Sequence, residues 1–222
     1  MVMRNISPVC SKEFFTGVES KRKKSLSLEN QHKLMTVKVE SEVLRETQLV
    51  VCLLFQYAGM SFVDFAHLKE RNIKNGILDY NRQKTGTPMR LEILDTAELM
   101  RQELMGDKKP ASGYLFPFLS GTKTGYEAYL EYNAALSRFN RNLKALKKAA
   151  GIASDVTSYT IRHSFAMALK EQNVPIEMIS ELLGHKSIKT TQIYLRSFSL
   201  EKMTEVNSTC FGCVYNYVSK VG

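Results

Sequence analysis

Apolar positions recur at helical spacing through most of the chain and alternate in one short region near its middle. Between Ser41 and Ala58, the residues Leu44, Val51, Leu54, Phe55 and Ala58 keep a helical period, predicting a buried helix that Gly59 ends. Ser61 with Asp64 reads as a capping box opening a short helix to Leu68, the hydroxyl capping the first turn and the carboxylate reaching back to the cap amide. Asn75-Gly76 is a turn signal. Ile77 to Arg82 and Met89 to Ile93 then read as strands, joined through Lys84-Thr85-Gly86-Thr87 with Lys84 at the tip of a hairpin. Asp95 with Glu98 is a second capping box, opening a helix through Leu99 and Leu104 that ends near Gly106. Lys108-Lys109-Pro110 and Ser112-Gly113 mark a loop, and Tyr114 to Leu119 is an aromatic, apolar segment suited to filling a core. A long helix from about Glu127 to Ala149 buries Tyr132, Leu136, Phe139, Leu143 and Leu146, and Gly151 closes it. These elements predict a mostly helical α+β domain with a small antiparallel sheet near residues 72–93.

The stretch from Tyr159 to Tyr194 reads as three short helices. Ile161, Phe165, Ala168 and Leu169 form one buried face and leave Arg162 to point elsewhere. A second helix starts at Pro175, where a missing amide costs nothing, runs through Ile176, Ile179, Leu182 and Leu183, and stops at Gly184. His185 therefore falls on a loop just past a helix end. Ser187 caps a third helix whose Ile188, Thr191 and Leu195 face inward, with Tyr194 beside that stripe. Arg162, His185 and Tyr194 are thereby placed where they can converge.

Composition narrows the partners. In 222 residues, 31 Lys+Arg against 22 Asp+Glu give a net charge of +9, which favours a polyanion: nucleic acid first, an acidic membrane surface second. The longest apolar run, Leu49 to Phe55, is far short of a membrane span. The polar N-terminus has no secretory pattern, and with 4 cysteines the expectation is a cytoplasmic protein with reduced thiols. Cys210-Phe211-Gly212-Cys213 stands without a second pair, and no metal site is expected. Two basic runs are candidates for phosphate contact, each readable also as a solvated face: Lys21-Arg22-Lys23-Lys24, and the outer side of the long helix with Arg138, Arg141, Lys144, Lys147 and Lys148.

The run Tyr-Thr-Ile-Arg-His-Ser-Phe-Ala from Tyr159, then Leu-Leu-Gly-His ending at His185, then Thr-Thr-Gln-Ile-Tyr ending at Tyr194, resembles the second signature box of the tyrosine recombinases, the phage-integrase family. The resemblance extends over roughly residues 13–200. It implies a catalytic domain over 26–200, preceded at 1–25 by a basic linker remnant and followed at 201–222 by a tail that docks on a neighbouring protomer. Too few residues stand upstream for the family's N-terminal DNA clamp. Double-stranded DNA attachment sites are the implied partner, with a homo-tetramer on DNA and no cofactor. Gly59-Met60-Ser61-Phe62-Val63-Asp64 corresponds to the family's first box, usually Gly-Leu-Arg-x-x-Glu, so Ser61 stands where a catalytic arginine is usual. That wording is similar to integrases of conjugative transposons, in which this arginine is replaced.

The family chemistry assigns roles to these positions. A phosphodiester repels nucleophiles, so cutting it needs positive donors on the phosphate and a positioned attacking group. Arg162 would clamp the phosphate, His185 would donate to a non-bridging oxygen, and Tyr194 would attack phosphorus to leave a 3′-phosphotyrosyl link. Lys84, an ordinary turn residue when read alone, would protonate the departing 5′ oxygen. Tyr159 occupies the place of a usual histidine base. A phenol with a pKa near 10 serves there as a hydrogen-bond partner and not as a base. His163 is the nearest other titratable group, with a structural role equally open. The expected function is site-specific recombination for a mobile element. The alternatives are a DNA-binding module that kept the fold without turnover, and a domain whose basic surface meets an acidic protein.

Overall fold

A computed structural model describes residues 25–110, 113–195 and 203–209, with Ile193 and Tyr194 described by backbone alone. Its elements run α1 (Leu28–Thr36), α2 (Glu42–Gln56), α3 (Phe62–Ala66), β1 (Ile73–Lys74), β2 (Ile77–Asn81), β3 (Pro88–Glu92), α4 (Asp95–Met105), α5 (Gly125–Ala149), α6 (Ser158–Glu171), α7 (Ile176–Leu182) and α8 (Ile188–Tyr194). Helix α2 is the axis of the domain. Thr47 through Leu54 are all buried, which a helix achieves only when neighbours cover it on every side, and α1, α4, α5 and α6 do so. The aromatic segment after α4 fills the space between α3 and α5: Phe116 stacks on Phe65 with ring centroids 4.1 Å apart, and Phe62 stacks on Phe139 at 4.7 Å.

The sheet has the order β1-β2-β3, both pairs antiparallel. Asn75-Gly76 makes the two-residue turn between β1 and β2, where Lys74 faces Ile77. Leu78, Tyr80 and Met89 point into the core, while Asp79, Asn81 and Arg90 face outward. Helix α6 stands between two apolar clusters. Ile161 belongs to the large core around α2, whereas Ala166 joins Ile179, Leu183 and Leu195 in a smaller cluster that docks α7 and α8.

Several local expectations need correction. Asp95 and Glu98 form no capping box. Leu94, with no side-chain acceptor, is the cap residue of α4, and the Glu98 carboxylate is taken by Arg101 and Gln102. Pro175 is the cap of α7 and not its first turn. Ile188 is exposed, and α8 is anchored inward by the fully buried Thr191 and by Leu195. Lys147 is drawn off the open face of α5 to donate to the carbonyls of Ala153 and Ser154. Arg162, expected outside the buried face of its helix, is only 4% exposed. Lys21, Arg22, Lys23, Lys24, Cys210 and Cys213 lie outside the described residues. The domain is tied down by Leu26, whose amide donates to Ser164 Oγ at 2.9 Å.

Candidate active site

Helix α6 opens with a reciprocal cap between Thr157 and Thr160, which fixes its first turn and so the direction in which Arg162 leaves it. The Arg162 guanidinium runs inward and joins three chain segments. Nη1 donates to the Gly59 carbonyl at 2.8 Å, Nη2 donates to the Leu183 carbonyl, and Nη2 stands 3.4 Å from His185 Nε2. Both carbonyl partners come from chain reversals. Gly59 follows Ala58 in a left-handed turn after α2, at φ +64°, and a Cβ there would lie 2.8 Å from the Phe165 ring. Leu183 caps α7, where helix-end carbonyls lack internal partners and carry partial negative charge.

A second guanidinium enters from the other side. Arg82 continues the inward alternation of Leu78 and Tyr80 just past the end of β2, and is 7% exposed. Its Nη1 donates to the Gly184 carbonyl at 2.9 Å, and its Nε lies 3.5 Å from Asp64 Oδ2. Asp64 is buried and collects the remaining polar groups: its Oδ1 accepts the Gln83 amide at 2.7 Å, and its Oδ2 accepts the Ser61 hydroxyl at 2.6 Å. The carboxylate therefore does not reach back to the cap amide as the capping-box reading required. Ser61 does cap α3 through the Asp64 amide, but its hydroxyl proton goes to the carboxylate. Gly184 at φ +61° is needed for contact as well as conformation, since a Cβ on it would sit 2.6 Å from Arg82 Cδ.

Arg82 is the site residue that the sequence reading passed over. The one available signal was parity: in a strand whose Leu78 and Tyr80 face the core, an arginine two residues further on faces it too. It stands beside the site from which the Ser61 position withholds an arginine.

Electrostatics follow from this crowding. Burial first, and then the nearby charge of Arg82, lower Arg162 to about 10, against the opposing influence of Tyr80, Asp64 and Tyr159. Burial, then the positive charges of Arg162 and Arg82, push His185 down to about 4, so the ring is neutral at pH 7. His185 Nδ1 is 2.8 Å from Thr191 Oγ1. Because arginine only donates, the Nε2 facing Arg162 is the lone-pair nitrogen and Nδ1 carries the proton. The expected phosphate donor is thus held as an acceptor in the unliganded site. Two guanidiniums thus stand close to one neutral imidazole, with Asp64 as counter-charge to Arg82, so the cluster carries a net positive charge.

The remaining predicted residues take distinct places. Thr191 ties α8, the helix bearing Tyr194, to His185, the residue that faces Arg162. Lys84 is exposed in the turn after β2, one residue from the Gln83 amide that Asp64 holds. Tyr159, 37% exposed in the first turn of α6, is near enough to act weakly on Arg162. His163 is buried in α6. Arg138, Arg141, Lys144 and Lys148 are exposed along α5 and outside this cluster.

Comparison with known proteins agrees with the class that fold and cluster define. A sequence profile described as the phage integrase family matches residues 24–201. The chain belongs to the phage integrase family, the tyrosine recombinases. Tyrosine recombinase XerD of Lacticaseibacillus casei is 52% identical over 54 residues, covering 24% of this chain and 18% of the relative. Tyrosine recombinase XerC of Rickettsia typhi (strain ATCC VR-144 / Wilmington) is 41% identical over 75 residues, covering 34% and 24% respectively. The matched stretches thus span about a fifth to a quarter of those relatives' own length. Among solved structures, XerA recombinase superposes with a TM-score of 0.62 at 20% identity, covering 84% of this chain and 63% of that one. The integrase of transposon Tn1549, in complex with a circular intermediate DNA, gives 0.63 at 15% identity, covering 86% and 67%. At these identities the likeness is one of fold. No helix among the described residues is long and apolar enough to cross a membrane.

Proposed function

We propose that the chain carries the catalytic centre of a site-specific DNA recombinase that cuts and rejoins DNA through Tyr194, serving integration or excision of a mobile element. The observation that supports it most is the pair of buried guanidiniums, Arg162 and Arg82, fixed to backbone carbonyls around His185 and next to α8. A scissile phosphate entering between them relieves their mutual repulsion and accepts their remaining donors without reorganising the protein. The Tyr194 hydroxyl attacks phosphorus, the P–O5′ bond breaks, and the departing oxygen takes a proton from Lys84. The 3′-phosphotyrosyl ester conserves the bond for the reverse step, in which a 5′ hydroxyl displaces the tyrosine. Phosphate bound between the guanidiniums would offset the positive charges that hold His185 neutral and restore its basicity, so that its Nε2 can take the phenol proton, a task for which Tyr159 is no base, and as imidazolium then donate to the phosphate.

Arg82 substitutes in space for the arginine that Ser61 does not provide, with Ser61 and Asp64 serving to hold it. The exposed cations of α5 track flanking phosphates, and four protomers on two double-stranded attachment sites complete an exchange. The mobile-element assignment rests on the Gly-Met-Ser-Phe-Val-Asp resemblance. A duplex nicked near the scissile phosphate, which loses its short product and blocks religation, tests the proposal. Covalent protein–DNA adduct that disappears in Tyr194→Phe is expected. A chain that binds the cognate site equally well with or without Tyr194 and forms no adduct is instead a DNA-binding module on the same fold, a reading that the replacements at Ser61 and Tyr159 favour.

A further inference from the structure

Helix α6 holds a second cation two turns beyond Arg162. Lys170 is 8% exposed and its Nζ donates to the Leu195 carbonyl at 2.6 Å. The Leu195 it bonds belongs to a buried apolar cluster with Ala166, Ile179 and Leu183, against which Leu169 and Val174 pack. Burial lowers the lysine's pKa, as expected for an ammonium drawn from water. Solvent is within reach, since the following Glu171, Gln172 and Asn173 are all exposed, and a lysine ordinarily extends its charged end outward. A methionine would fill the same volume without the desolvation cost. The inward turn therefore serves a directional bond.

The position of that bond is informative. Leu195 caps α8 immediately after Tyr194, and its amide donates to the Thr191 carbonyl at 3.0 Å. Thr191 itself is bonded to His185 at 2.8 Å. The turn that carries Tyr194 is thus held on one flank by His185 and on the other by Lys170, and Lys170 shares a rigid helix with Arg162. We propose that Lys170 is a positioning residue that fixes the backbone of the Tyr194 turn relative to the Arg162 phosphate clamp, so that the phenol is aligned for in-line attack. This rests on the assignment of Tyr194 as nucleophile.

The test uses the 222-residue chain, a nicked suicide duplex at saturating concentration, and the variants Lys170→Met, which keeps the volume, and Lys170→Arg, which keeps a charged donor. Lys170→Met is expected to slow adduct formation about 100-fold, the scale for a reacting group misplaced by about 1 Å, with DNA affinity unchanged. Lys170→Arg is expected to recover most of the rate, and Lys170→Gln, a second neutral variant with a polar end, to fall between. Replacing the bridging 5′ oxygen with sulfur, which leaves without a proton, is expected to rescue Lys84→Ala and not Lys170→Met. Faster hydrogen exchange of the α8 amides in Lys170→Met, with the rest of the chain unchanged, is the structural counterpart. Wild-type rates in both neutral variants, rescue of Lys170→Met by sulfur, or a loss of DNA affinity in step with the rate would each overturn the proposal. If wild-type protein forms no adduct, the recombinase reading fails instead, and the exchange measurement alone decides whether Lys170 fixes α8: unaltered α8 protection in Lys170→Met rejects it.

Discussion

Replacing Arg82 with methionine separates its structural bonds to Asp64 and Gly184 from the phosphate contact we propose for it. On the structural side, the change leaves the Asp64 carboxylate without a cation and the Gly184 carbonyl without its donor. A buried carboxylate stripped of its partner can cost 3–5 kcal/mol in general, but the N–O separation here is 3.5 Å and Asp64 keeps the Ser61 hydroxyl and the Gln83 amide. The loss of folding stability should therefore be about 1–3 kcal/mol, the range for one unsatisfied buried group. On the chemical side, a preorganised donor to the phosphate is removed, which is worth roughly 100- to 1000-fold in rate. The two effects come apart in a cycle with Asp64→Asn, which removes the orphaned charge. Arg82→Met/Asp64→Asn should regain much of the lost stability in denaturant titrations while its single-turnover adduct formation remains as slow as that of Arg82→Met. Wild-type cleavage by Arg82→Met would show that the guanidinium is only a strut. Restoration of cleavage together with stability in the double variant would refute its role on the phosphate equally well.

Gly184→Ala forces a side chain into left-handed backbone at φ +61° and against Arg82 Cδ, so we expect a loss of about 1–2 kcal/mol in thermal or chemical denaturation, with adduct formation reduced beyond what that loss explains. His185 is held neutral, with its folded pKa near 4 against an ordinary 6.5, so the unfolded chain binds a proton first as pH falls between those values. Stability should therefore drop on acidification through that window by about 1–2 kcal/mol more in wild-type protein than in His185→Gln, after allowing for solvent screening of a half-buried ring. Equal pH slopes in the two proteins would contradict the buried neutral ring. Neutralising two of Arg138, Arg141, Lys144 and Lys148 should lower the slope of log affinity against log salt by about 0.9 per charge removed, without altering the adduct rate at saturating DNA. An unchanged slope would take α5 out of the DNA path.

Periodicity carried most of the fold. The helices around α2 and α5, the Asn75-Gly76 turn and the two long strands all follow from which positions are apolar and where glycine interrupts them. Arg162 and His185 were legible as neighbours because the stretch holding them is short and its helices are separated by Pro175 and Gly184. What sequence alone could not supply was the partner of each charge. Arg162 reads as leaving its helix on the polar side because its partners are carbonyls of Gly59 and Leu183, and a backbone oxygen leaves no mark in the side-chain pattern. Arg82 was overlooked because it looks like the polar end of a strand, although strand parity places it with Leu78 and Tyr80. The Ser61-Asp64 pair was read as a local cap, yet the carboxylate is occupied by groups from the hairpin. Glu98 was misassigned for the opposite reason, being taken by Arg101 within its own helix.

The carbonyl anchoring of Arg162 and Arg82 bears on how a worn-out copy of such an enzyme should look. Each guanidinium closes a chain reversal, so losing either loosens the fold before any question of catalysis arises. Selection for a folded DNA-binding remnant would retain both. The arginines therefore speak for an anion-binding site without separating a working enzyme from such a remnant, and on the proposed chemistry that distinction falls to Lys84, which stands exposed on a turn that any small polar residue could make. Among relatives sharing this architecture, the identity of the residue at that turn should sort working recombinases from silent ones.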